Sequence, residues 1–108
     1  MSKCLVFVKE PMHKAKHVWM SMSPENIEKV LEGKRMAFPY AENEMILAAE
    51  DMENGEKYYN CTIMGKKFYG TIIMCGLINT VEEFNIPQSS SMDMDTFKKL
   101  FPDLMKEG

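Results

Sequence analysis

The stretch Ser23-Pro24-Glu25-Asn26-Ile27-Glu28-Lys29-Val30-Leu31-Glu32-Gly33 spells out one short helix together with both of its ends. Ser23 offers a hydroxyl to the orphan amides of the first turn, and Pro24 loses nothing where its missing N–H has no partner anyway. Glu25 and Glu28 lie near the positive end of the helix dipole, with Lys34 and Arg35 just past the negative end. Ile27, Val30 and Leu31 fall three or four residues apart and form the apolar stripe. Gly33 suits the left-handed conformation that closes a helix. A helix of about ten residues is marginal by itself, so a sheet must hold it.

The flanking sequence supplies that sheet. Leu5-Val6-Phe7-Val8 is a β run closed by Pro11, and His17 to Met22 alternates, which predicts a hairpin. After the helix, Arg35 to Tyr40 predicts a strand shortened by Pro39, and Met45 to Ala49 the next. Asn54-Gly55 marks a turn. Tyr58 to Asn60 leads into Cys61-Thr62-Ile63-Met64, and Gly65-Lys66-Lys67 turns the chain back. Phe68 to Ile78 has the longest apolar stretch and is the expected central strand, with Gly70 marking a bulge or a close backbone approach. Asn79 to Ser91 is polar and broken by proline, the expected mobile loop. Asp93 or Asp95 caps a second short helix over Thr96 to Phe101, whose Phe97, Leu100 and Phe101 are expected to dock on the sheet. The expected fold is a single α+β domain over residues 1–108. It has a small, mostly antiparallel sheet of five to six strands, one helix after strand two, and a short C-terminal helix.

Composition narrows the function classes. With 108 residues there is room for one core. No run approaches the roughly 18 apolar residues that cross a bilayer, and the brief apolar run at the start lacks the length of a signal peptide, so a cytoplasmic protein is expected. Cys4, Cys61 and Cys75 form no CxxC and read as buried thiols in a reducing compartment. Twelve methionines suit an adaptable core or surface. The net charge of −3 is unevenly spread: residues 1–40 hold seven basic and four acidic side chains, residues 41–60 one basic and six acidic. An acidic middle segment disfavours nucleic acid as a partner, because phosphate contact needs a dense basic surface.

Motifs for chemistry are weak. His13 and His17 are four apart but sit in loop and strand, without an HExxH or a cysteine pair, so no metal and no cofactor is expected. Asp51 to Glu56 is like the start of a calcium loop, yet Gly55 is one place early and Thr62 stands where the bidentate glutamate belongs. No cysteine or serine has a base placed beside it, Glu82-Glu83 reads as a solvated pair, and no glycine pattern forms a phosphate cradle. No catalytic residue is expected. The remaining candidates form a binding surface: Trp19, Tyr58, Tyr59 and Tyr69 as aromatic anchors, with Glu42, Glu44, Asp51 and Glu53 as the acidic surround. Such a patch fits a basic protein partner. The alternative is a nucleic-acid or nucleotide binder using Lys14, Lys16, Lys34 and Arg35. An exposed edge strand could also pair two copies into a homodimer.

The order of pieces resembles a family of small uncharacterised proteins carried by phages, plasmids and integrated elements of Gram-positive bacteria. The resemblance rests on Val8-Lys9-Glu10-Pro11, on Ile27 to Gly33, on Asn60, on Phe68 to Gly76, and on the closing Thr96 to Phe101. Met12 stands where the family has glycine, and Gly33 is a single glycine where the family has two. What the resemblance implies is a non-enzymatic accessory role in host takeover or counter-defence, such as anti-CRISPR inhibition of a host nuclease complex by direct binding.

Overall fold

The computed structural model describes residues 3–106. In chain order it holds β1 (Lys3–Lys9), β2 (Lys16–Ser21), α1 (Pro24–Leu31), β3 (Arg35–Ala41), β4 (Glu44–Ala49), β5 (Tyr59–Ile63), β6 (Lys66–Tyr69), β7 (Ile72–Ile78), β8 (Ile86–Gln88), α2 (Met94–Leu100) and a 3-10 turn at Pro102–Met105. The fold is α+β, and its main sheet is antiparallel and six-stranded in the order β2-β1-β7-β4-β3. β8 pairs with the upper half of β7, beyond the point where β1 leaves that edge. The helix follows the second strand and a short helix closes the chain, as the sequence predicts. A second, two-stranded sheet, β5–β6, stands apart from the main one.

Cross-strand partners share a face of a sheet, so the register divides the side chains. His17, Phe7, Met74, Ile46 and Phe38 form one face, while Val8, Ile73, Leu47 and Ala37 form the other. α1 covers the second face with Ile27 and Leu31 buried. The first face is covered by α2 and the β5–β6 hairpin: Phe97 stacks on Phe7 at 4.0 Å, and Phe68 meets Phe38 edge-on at 5.5 Å. With both faces covered, every residue of β4 is buried, and so is all of β7 except Ile78. That explains why Met45 to Ala49 and most of β7 read as apolar runs.

Four local expectations need correcting. Phe68 to Ile78 is two strands, because the chain turns a corner at Gly70, whose φ is +75°. Gly33 does not close α1; Glu32 takes the left-handed conformation instead, and the Glu32 and Gly33 amides both donate to the Glu28 carbonyl. Gly33 is small for another reason, since a Cβ there would lie 3.2 Å from the Cβ of Ala49 on β4. The segment Asn79 to Ser91 is no simple loop. It supplies β8, then Ser89 and Ser90 hydrogen-bond the Leu5 backbone. Leu100 points away from the core and is 60% exposed, whereas Phe97 is fully buried.

Candidate binding surface

The β4–β5 connection is acidic and firmly built. Its base is fixed by the Glu50 amide, which donates to the Lys34 carbonyl at 2.8 Å, and by Met52, which is buried. Asn54 Oδ1 accepts from the Glu56 amide at 3.0 Å and Gly55 supplies a φ of +94°, which tightens the turn. Glu50, Asp51, Glu53 and Glu56 are left exposed around it. The one basic residue of this segment, Lys57, turns inward. Its Nζ donates to the Glu32 carbonyl at 3.0 Å and the Leu31 carbonyl at 3.5 Å, so the ammonium closes the negative end of α1. Its stem runs over Gly70, where a Cβ would come within 2.8 Å of Lys57 Cδ.

Two tyrosines follow directly. Tyr58 is 75% exposed and Tyr59 50%. Tyr59 packs edge-on against Tyr69 at 5.8 Å, and its hydroxyl shares a 2.7 Å hydrogen bond with Thr62 Oγ1. Asn60 anchors the strand behind them: its amide donates to the carbonyls of Lys9 and Gly70, both at 2.7 Å. Tyr58 thereby overlooks a shallow depression of about 330 Å³ shared with Pro11, Glu32, Glu56, Lys57, Gly70 and Thr71.

The structure therefore brings Asp51, Glu53, Tyr58, Tyr59 and Tyr69 to one connection and its hairpin, and separates the other expected residues from them. Trp19 is exposed on β2, at the edge of the main sheet, and no aromatic contact among the described residues joins it to the tyrosines. Glu42 is exposed in the β3–β4 turn. Glu44 is buried: it accepts from Ser90 Oγ at 2.5 Å, and from the Ser91 amide and hydroxyl at 3.2 and 3.4 Å. It serves the fold, because a buried carboxylate must be hydrogen-bonded. Glu50 and Glu56 add to the surface, with Lys57 and the buried Asn60 holding it from behind; of these, sequence offered only Asn60 by itself, and that for the family resemblance. Lys57 gave no local signal, since the Leu31 carbonyl it reaches lies 26 residues earlier.

Lys34 and Arg35 flank the acidic loop at its base, but Lys16 opens β2 and Lys14 just precedes it, on the opposite edge of the sheet. Four strand spacings, about 19 Å, separate β2 from β3, so the four cations do not form one patch. The one ion pair among the described residues is Lys106–Asp103.

Reactive groups are dispersed. A cleft of about 400 Å³, mostly apolar, lies between β3 and the β5–β6 hairpin, with Lys66 Nζ 4.7 Å above the Phe38 ring. His17 stacks on Phe7 at 4.2 Å. Burial pushes the Cys61 thiol up to about 11, against the pull of the nearby Lys9 ammonium. Burial, then the charges of Glu44 and Cys4, push Cys75 up to about 12. Both are protonated, unreactive thiols near neutrality. Burial lowers the pKa of Lys9, whose Nζ donates to the Glu10 carbonyl at 2.9 Å. Among the described residues no group of three or more His, Cys, Asp or Glu side chains is arranged to hold a metal, and no helix is long and apolar enough to cross a membrane. No family model, curated protein or solved structure matches this chain.

Proposed function

We propose that this protein is a non-enzymatic binding module that takes a basic protein partner on the surface formed by Glu50, Asp51, Glu53, Glu56, Tyr58 and Tyr59. The observation that carries this reading is the inward turn of Lys57. With that ammonium held at the end of α1, four exposed carboxylates stand beside two exposed tyrosines with no ion pair among them. Long-range charge steers a cationic partner toward such a surface, and the phenol rings hold it with large, rigid contact area. The shallow depression beside Tyr58 is walled by Glu32, Glu56 and Lys57, and its two carboxylates suit a cationic side chain at its rim. The setting suggested by the family resemblance is an accessory protein of a mobile element, blocking a host defence or nuclease complex by occupying a basic surface on it.

The test is affinity capture from cell lysate followed by calorimetry with the purified captured protein. Tyr58→Ala/Tyr59→Ala should weaken binding at least about tenfold, and Lys14→Ala/Lys16→Ala should leave it unchanged. Loss of the partner only in the lysine variant would overturn this reading in favour of a phosphate-led interaction.

A further inference from the structure

The two edges of the main sheet are treated differently. β3 is blunted as an edge: Pro39 removes a donor, the register shifts between Pro39 and Ala41, and Arg35 opens the strand. β2 lacks the proline and the register shift, although it too opens on a basic residue, Lys16. Its ladder to β1 runs without a shift from Lys16 to Ser21, it contains no proline, and among the described residues its outer side pairs with no strand. Asn26 Nδ2 takes the Ser21 carbonyl at 2.7 Å, so the open edge is Lys16 to Met20. In the middle of it stands Trp19, 63% exposed, beside the half-buried Val18 and Met20.

We infer that β2 is a self-pairing edge, and that a second copy of this chain docks on it antiparallel to form one continuous sheet across a two-fold axis. A two-fold axis normal to the sheet keeps each side chain on its own face, so only registers that pair residues of like parity are allowed. The register centred on Val18 uses the whole open edge. It sets Val18 against the partner's Val18, His17 against the partner's Trp19, and Lys16 against the partner's Met20. The indole then lies beside the imidazole that already stacks on Phe7, and no like charges face each other. Charge also fixes the direction. β2 enters from the exposed cations Lys14 and Lys16 and leaves into Glu25, in the first turn of α1. Antiparallel pairing brings the basic end of one copy alongside the acidic end of the other. One strand pair with its flanking side chains lies toward the lower end of specific interfaces, about 1,200 Å² in total, so association belongs in the micromolar range.

This surface is separate from the tyrosine-bearing one, and its test is independent. Sedimentation equilibrium of the full chain, from a few to several hundred micromolar, should show a monomer–dimer equilibrium. Trp19→Lys changes a largely exposed position, and should raise the dimer dissociation constant at least about tenfold while the far-UV circular dichroism is unchanged. Lys14→Glu and Glu25→Lys should each weaken the dimer, and the double variant should restore it. A monomer at every concentration, an undiminished dimer in Trp19→Lys, or charge variants without mutual rescue would each overturn the inference.

Discussion

Gly70→Ala is the sharpest test of how the binding surface is held. Two separate costs arise. An alanine at a φ of +75° is strained, by about 1 kcal/mol. Its Cβ would also lie 2.8 Å from Lys57 Cδ, so the lysine stem must move. Moving it loosens the ammonium from the Glu32 and Leu31 carbonyls, a helix-end interaction of about 0.3–1 kcal/mol, and withdraws stem packing. Adjustment at the corner also weakens the bond from Asn60 to the Gly70 carbonyl, about another 1 kcal/mol. We expect a total loss of about 2–3 kcal/mol in urea unfolding. Gly65→Ala is the control: it has a φ of +82° with nothing near its Cβ, so it pays the strain alone, about 1 kcal/mol. In a cycle with Lys57→Ala, the clash term disappears from Gly70→Ala and the coupling should reach about 1 kcal/mol. Equal effects at Gly70 and Gly65, or additivity with Lys57→Ala, would refute the role assigned to the lysine.

Three further outcomes follow from the same structure. Glu44→Ala leaves the Ser90 hydroxyl and the Ser91 amide without their acceptor, so the urea midpoint should drop by the equivalent of about 1–3 kcal/mol, and Glu42→Ala should do almost nothing. Phe97→Ala should cost about 3–5 kcal/mol and Leu100→Ala under about 0.5, read from thermal unfolding. The thiols give a pH dependence. Cys75 rises from 9.0 unfolded to about 12 folded, so above pH 9 the unfolded chain releases a proton that the folded chain keeps. Stability is complete below pH 9 and falls toward pH 12, by about 1.4 kcal/mol per pH unit from this thiol, and Cys75→Ser should flatten that slope.

How much of this could be read in advance depended on the range of the interaction. Elements closed by local chemistry were legible: Ser23 and Pro24 start α1, Asp93 accepts from the Thr96 amide to start α2, and the β1–β2 hairpin follows its alternation. The apolar run Phe68 to Ile78 does contain the central strand, β7, but it also takes in the end of β6. What was missed depended on distant partners. At the strand break, Gly70 meets the Lys57 stem and its carbonyl accepts from Asn60, while α1 ends at Glu32 and Gly33 packs close to Ala49 and Asp51. The short β8 is stabilised by its ladder to β7 and not by its own composition, which contains Pro87. The candidate surface was half legible. Tyr58, Tyr59, Asp51 and Glu53 stand close in sequence, but the burial of Glu44 by two serines 46 and 47 residues away carries no local trace.

Hydrogen exchange of the free and partner-bound chain tests the central claim most directly. Binding on the acidic, tyrosine-bearing surface should slow amide exchange from Glu50 to Thr62 and leave the amides of Lys14 and Lys16 unaltered. Protection confined to Lys14 and Lys16, with Tyr58 and Tyr59 exchanging as in the free protein, would contradict it.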